Sequence, residues 1–262
     1  QLSNAKAYKF KHNEVEDLEN KILSVRAASK TQESEIYIVT ESVFSMDGDM
    51  PDLVKMSKII KKHSAHFIVD EAHALGVFGK HGCGKVQELN LEEVVFTRIV
   101  TFGKGLGCHG AVILGTQELI HYLVNFARSF VYTTGLAPHA LATIKIAYDH
   151  LKMSSRAEFR SLEFNQHKLQ ENIAFFKSEV QRLQLQNIFI ESNSTIHCSL
   201  ISGNEKAKDI ANQLQQKGYD VKAILSPTVL KGEERLRFCL HAYNSTKEIT
   251  EVLENLSIFT KN

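Results

Sequence analysis

The chain has 262 residues, 43% of them apolar, enough to bury one large core or two smaller ones. Its 31 basic and 30 acidic side chains leave a formal charge of +1, so no global field favours nucleic acid, a membrane surface or an acidic partner. Four cysteines, at 83, 108, 198 and 239, are too scattered for a disulfide framework or a Cys-x-x-Cys metal site and read as reduced thiols of a cytoplasmic protein. No apolar run approaches the ~20 residues of a membrane span, and no signal peptide opens the sequence.

The alternation Tyr8-Lys9-Phe10-Lys11-His12 predicts a short strand. Asn13, followed by Glu16, predicts the cap of a helix with Val15, Leu18, Ile22 and Val25 on its apolar face. A buried strand is expected over Glu35 to Thr40, then a turn at Ser45-Met46-Asp47-Gly48. Pro51 stands near the start of a helix that turns Leu53, Met56, Ile59 and Ile60 inward. The next strand ends on Asp70. This alternation of strand and helix predicts an α/β fold, a mostly parallel sheet sandwiched by helices.

The glycines of Gly76 to Gly84 lack the strand-turn-helix context of a dinucleotide fingerprint and read as a loop crossing close to the sheet. Two strand-like runs, Val94 to Phe96 and Arg98 to Phe102, precede Lys104, and Ala111 to Gly115 forms the strand after it. Thr116 is expected to cap a helix through Phe126, and Pro138 to begin a long helix. From about residue 151 a charged helix runs to Arg182. Strands are expected at Asn187 to Ile190, Ile196 to Leu200 and Leu236 to Leu240, with a helix from Glu205 to Lys217 ended by Gly218. A final helix is boxed by Ser245 and Glu248. Residues 1–150 thus read as the larger unit and 151–262 as a small C-terminal α+β domain.

Lys104 lies between Gly103 and Gly105 where two apolar strands meet. Burial there would lower its pKa and make the amine nucleophilic enough for a Schiff base, although a turn lysine in a glycine-rich loop gives the same spacing. Asp70 ends an apolar run, at the carboxyl end of a parallel strand where open α/β sheets place ligands, and His73 follows. An acid, an imidazole and a lysine in one crevice suit pyridoxal 5'-phosphate: the lysine carries its aldehyde carbon and the acid pairs with its ring nitrogen.

Glu41-Ser42-Val43-Phe44-Ser45-Met46-Asp47-Gly48-Asp49, Val69-Asp70-Glu71-Ala72-His73, Thr101-Phe102-Gly103-Lys104 and Phe130-Val131-Tyr132-Thr133-Thr134-Gly135 occur in the order of the α-oxoamine synthases. The sequence resembles that family, the pyridoxal-phosphate enzymes that condense an amino acid with an acyl thioester, over essentially its whole length. The resemblance implies an aspartate-aminotransferase-like large domain. It also implies a homodimer with shared active sites, and an acyl donor carried on coenzyme A or an acyl carrier protein. Within the family the motifs point to L-alanine and a pimeloyl thioester, the condensation of biotin synthesis. Glycine with acetyl-coenzyme A and serine with palmitoyl-coenzyme A are the alternatives.

The resemblance makes Lys104 the cofactor lysine and general base, and Asp70 the partner of the pyridine nitrogen. His73 and Ser45 become neighbours of the phenolic oxygen, although a turn serine has an equal structural reason. Thr101 becomes a phosphate contact, as does Thr133, or Thr134 beside it, from the neighbouring subunit. Arg237 becomes the carboxylate arginine, although alternation puts Arg235 on the same face of its strand. The family's N-terminal portion, with its ring-stacking histidine and further phosphate contacts, has no counterpart in residues 1–262. The chain therefore reads as a fragment of such an enzyme, or as a truncated structural partner of a complete subunit.

Overall fold

In the computed structural model, which describes residues 3–28, 34–153 and 160–261, two sheets divide the strands. The first has the order β1(Tyr37–Glu41), β2(His66–Asp70), β3(Val95–Thr101), β4(Ala111–Gly115). β1, β2 and β3 are parallel, with Glu41 opposite Asp70 and Asp70 opposite Ile99, whereas β4 runs antiparallel to β3. The parallel connections pass through α2(Leu53–Lys62) and α3(Lys85–Glu88). The α/β sheet-and-helix fold expected from the sequence is therefore present.

Local chemistry accounts for most elements. Asp52 caps α2 by accepting from Lys55 N–H at 2.9 Å, and Leu53, Met56 and Ile60 are buried on its inner face. α1(Val15–Ala28) buries Leu18 and Ile22 beside them, with Phe67 and Val69 of β2 at the centre of that core. Thr116 accepts from Leu119 N–H to start α4(Gln117–Phe126), which is followed by α5(Arg128–Val131) and α6(Pro138–Met153). α7(Arg160–Arg182) leads to the second, fully antiparallel sheet, ordered β5(Ile196–Leu200), β7(Arg235–Cys239), β6(Lys222–Ile224). α8(Asn204–Gln216) and α9(Thr246–Lys261) complete that layer, and the Ser245–Glu248 capping box forms as expected.

Several sequence expectations are corrected. Tyr8 to His12 is not a strand: no ladder forms along it, and instead Lys11 N–H donates to Asp17 and His12 Nε2 meets Asp49 at 2.7 Å. Asn13 does not cap α1. It adopts a positive φ of 56° and donates its amide to Asp49 at 2.6 Å. The two runs before Lys104 are one continuous strand, β3, and Asn187 to Ile190 contributes only an isolated bridge, Phe189 with Ser199. β1 is buried on one face only, since Tyr37 and Val39 are open on the other. β4 is largely exposed, and among the described residues no further strand pairs with its outer edge. The helix expected from residue 151 crosses residues 154–159, which lie outside the described ones.

Candidate active site

The carboxyl ends of β1, β2 and β3 gather the residues singled out by their chemistry. Asp70 closes β2 and its Oδ1 accepts from Ala72 N–H at 2.8 Å, which turns the chain sharply toward His73. Thr101 closes β3. Its hydroxyl is buried without a hydrogen-bond partner among the described residues, an arrangement that invites an acceptor from a ligand. The Phe102–Gly110 loop is closed by Phe102 N–H to Gly110 O at 2.9 Å and Cys108 N–H to Phe102 O at 2.8 Å, with Lys104 on it. Gly105 passes so close to Leu75 that a Cβ there would stand 2.3 Å from Leu75 O, so only glycine lets the two loops cross.

Between these loops and the second sheet lies an open cleft of ≈ 790 Å³, with His73, Lys104, Arg237, Cys239 and His241 among its walls. Lys104 itself is exposed at the cleft edge, not buried as the sequence suggested, because its glycine-rich loop projects beyond the end of the sheet. His73 is half-buried. Burial first, then the charges of Lys104 and Arg237, lower its pKa from 6.5 to about 4, so the imidazole is neutral at pH 7 and can donate or accept a hydrogen bond without competing for an anion. Asp70 faces a second, adjoining cavity with Glu41, Phe44 and His12. Burial, offset in part by the Ser45 N–H and reinforced by the Asp70 carboxylate, raises the pKa of Glu41; its Oε2 accepts from Ser45 N–H at 3.1 Å.

The structure also separates the two arginines that alternation left equivalent. Arg235 is consumed: it pairs with Asp47 and donates Nε to Glu233 O at 2.9 Å. Arg237 lines the cleft, and its buried Nε has no partner among the described residues. Ser45 sits in the turn behind Asp70 and Glu41, outside the walls of the cleft. Thr133 is exposed on a different part of the surface, where its hydroxyl donates to Ser129 O, and Thr134 is exposed beside it.

Two residues escaped sequence reasoning. Glu41 opens the first of the motif segments but was given no role there. Glu71, between Asp70 and His73, is fully buried, accepts from Val86 N–H at 2.9 Å and pairs with Arg98, whose Nε lies at 2.7 Å. That pair holds the glycine-rich loop against β3. The place of Glu71 inside the motif, between Asp70 and His73, is the signal that could have found it.

Thus the cleft has an amine, a neutral imidazole and an unpartnered guanidinium, with an orphan hydroxyl at the adjoining end of β3, as a phosphorylated aldehyde cofactor and an amino acid carboxylate require. The profile of the aminotransferase class I and II family matches residues 1–256. The chain belongs to that family. An 8-amino-7-oxononanoate synthase of Emericella nidulans is 39% identical over 233 residues, covering 85% of this chain and 54% of that protein. One from Photorhabdus laumondii is 34% identical over 257 residues, covering 98% of this chain and 62% of that protein. Among solved structures, the 8-amino-7-oxononanoate synthase of Francisella tularensis superposes with a TM-score of 0.81 at 29% identity, covering 99% of this chain and 70% of that one. The serine palmitoyltransferase of Sphingomonas wittichii gives 0.87 at 26% identity, covering 99% and 62%. All four are α-oxoamine synthases, the group that the motifs indicated. The chain spans between half and two-thirds of the length of the two curated relatives. No helix among the described residues is long and apolar enough to cross a membrane.

Proposed function

We propose that the whole protein condenses L-alanine with a pimeloyl thioester, on coenzyme A or an acyl carrier protein, to give 8-amino-7-oxononanoate, using pyridoxal 5'-phosphate held at Lys104. A carbon–carbon bond forms between the alanine α-carbon and the acyl carbon, the carbon–sulfur bond breaks with release of the thiol, and the alanine carboxyl leaves as carbon dioxide. The observation that carries this reading is the convergence of His73, Lys104 and Arg237 on one cleft, in a chain whose curated relatives bear that enzyme's name.

When bound, the cofactor supplies an electron sink for the carbanion at the α-carbon. The chain's residues do the rest. The Arg237 guanidinium pairs with the substrate carboxylate and orients the α-carbon, and the Lys104 amine removes the α-proton. Asp70, from the cavity it shares with Glu41, would pair with the ring nitrogen, and Thr101 would donate its hydroxyl to the phosphate. The neutral His73 and, as the family motif implies, Ser45 would hydrogen-bond the phenolic oxygen. The larger unit, residues 1–150, carries the cofactor, and the smaller, residues 151–262, carries Arg237. Thr133 or Thr134 reaches the phosphate of a neighbouring subunit in a homodimer, and the four free thiols suit the cytoplasm.

The test is an assay of the whole protein with alanine and pimeloyl-coenzyme A, following thiol release and carbon dioxide, beside glycine with acetyl-coenzyme A and serine with palmitoyl-coenzyme A. Turnover with the first pair, and loss of the borohydride-reducible cofactor adduct in Lys104→Ala, are expected. Turnover confined to either other pair would replace the substrate assignment.

A further inference from the structure

We infer that the ion pair between Arg235 and Asp47 is a positioning pair for the substrate carboxylate, tying β7 to the Ser45–Asp49 turn so that Arg237 stands at a fixed place over the Lys104 cleft. This rests on the reading of Arg237 as the carboxylate arginine given above. Arg235 and Arg237 are two residues apart on one strand, and the period of a strand puts both on one face. Whatever anchors the first therefore sets where the second begins.

The anchor is a dense joint. The Arg235 side chain is 5% exposed, pairs with the Asp47 carboxylate and donates to Met46 O at 3.3 Å. The neighbouring strand β5 adds Cys198 Sγ to Met46 O at 3.2 Å, while Ser192 and Ser194 hydroxyls donate to Gly48 O at 2.7 and 2.8 Å. Gly48, at a φ of 81°, lies so close to Ile196 that a Cβ would come within 2.1 Å of its carbonyl oxygen. The turn is equally fixed from below, where Phe44 N–H donates to Asp49 O at 2.9 Å and Ser45 N–H to Glu41, the register partner of Asp70.

His12, Asp47 and Asp49 could together hold a metal ion, since their ligand atoms lie within 4.8 Å of one another. One oxygen of each carboxylate is already engaged, Asp47 Oδ1 by Arg235 and Asp49 Oδ2 by both His12 and Asn13, while Asp49 Oδ1 is buried without a partner among the described residues. The cluster is a joint between the cofactor floor and the arginine strand. Removing Asp47 leaves the nearly buried Arg235 with only the longer carboxylate contact, to Glu233 at 3.6 Å, and loosens the tie between strand and turn, and small misplacements of a binding group cost large factors in function.

The test uses the whole protein with its cofactor and reads amine binding from the cofactor absorbance. Asp47→Asn is expected to weaken alanine binding roughly tenfold while leaving unchanged the binding of ethylamine, which has no carboxylate, and the KM for the acyl thioester. Asp47→Glu, which keeps the charge and tolerates folding better, is expected to show about a threefold loss in the same direction. Equal losses for alanine and ethylamine, or a lowered melting temperature with alanine binding intact, would show a structural staple and overturn the proposal. Arg237→Ala is the control: if it leaves alanine binding unchanged, the assignment of Arg237 itself fails, and the positioning role with it.

Discussion

The layer built on the second sheet and the region from β4 through α6 are made from the same kinds of apolar residue, yet they end in opposite states. On the second sheet, α7, α8 and α9 bury Phe176, Leu214, Leu253 and Leu256 almost completely, together with Leu236 and Phe238 of β7. In the other region α4 carries a well-formed apolar stripe and buries none of it, α5 buries nothing, and Tyr122, Phe126, Phe130 and Tyr132 face outward. An amphipathic pattern specifies which face of a helix is apolar; whether that face is covered depends on a neighbour that the pattern does not contain.

The sharpest way to break this contrast is to truncate one aromatic on each side. Phe176→Ala removes a ring 1% exposed that stacks on His197 and meets Phe189 and Phe238, and should cost about 4 kcal/mol in urea unfolding. Phe126→Ser, on the open side, is expected to change stability by less than about 0.5 kcal/mol, and comparable losses at the two positions would erase the distinction.

The closed layer also has a pH signature. His197 is 3% exposed, and burial, then the charge of Lys177, lowers its pKa from 6.5 to about 4. Because the folded value lies below the unfolded one, the unfolded chain takes up a proton first as pH falls. Stability is therefore full above about 6.5, declines from there to about 4, and levels off below, for a loss on the order of 3 kcal/mol. Urea midpoints between pH 7 and 4 should show this slope, and His197→Phe should reduce it, leaving the part due to His73. The smallest effect in that layer belongs to the cap of α9, where Ser245 Oγ accepts from Glu248 N–H at 3.2 Å. Ser245→Ala should cost about 1 kcal/mol.

Elements with a local cause were legible in the sequence. The strand ending on Asp70, the turn with Gly48, the Thr116 and Ser245 caps and the helix from Pro138 all follow from residues within a few positions of one another. Tyr8 to His12 alternates like a strand but has no strand beside it, and β6 is too short for a pattern. Asn13 looked like a cap because cap chemistry and a long-range amide donor are the same side chain. Among the candidate site residues, Asp70, His73 and Lys104 were singled out because strand ends are visible. The exposure of Lys104 was not visible, and Arg237 was preferred to Arg235 only through the family resemblance, since the physical difference between them depends on Asp47, 188 positions away.

The core of the second layer contains Val43, Ala74, Val77 and Phe78, which come from the loops at the carboxyl end of the first sheet. A core shared in this way ties the loops at that end of the first sheet to the second layer. Opening around β7 would expose the residues that hold the turn after β1, so the backbone amides of Phe44 and Gly48 should exchange with solvent as slowly as those of Phe238, through one global event. Hydrogen exchange would then report one cooperative unit joining the second sheet to those loops, with faster exchange along β4 and α4.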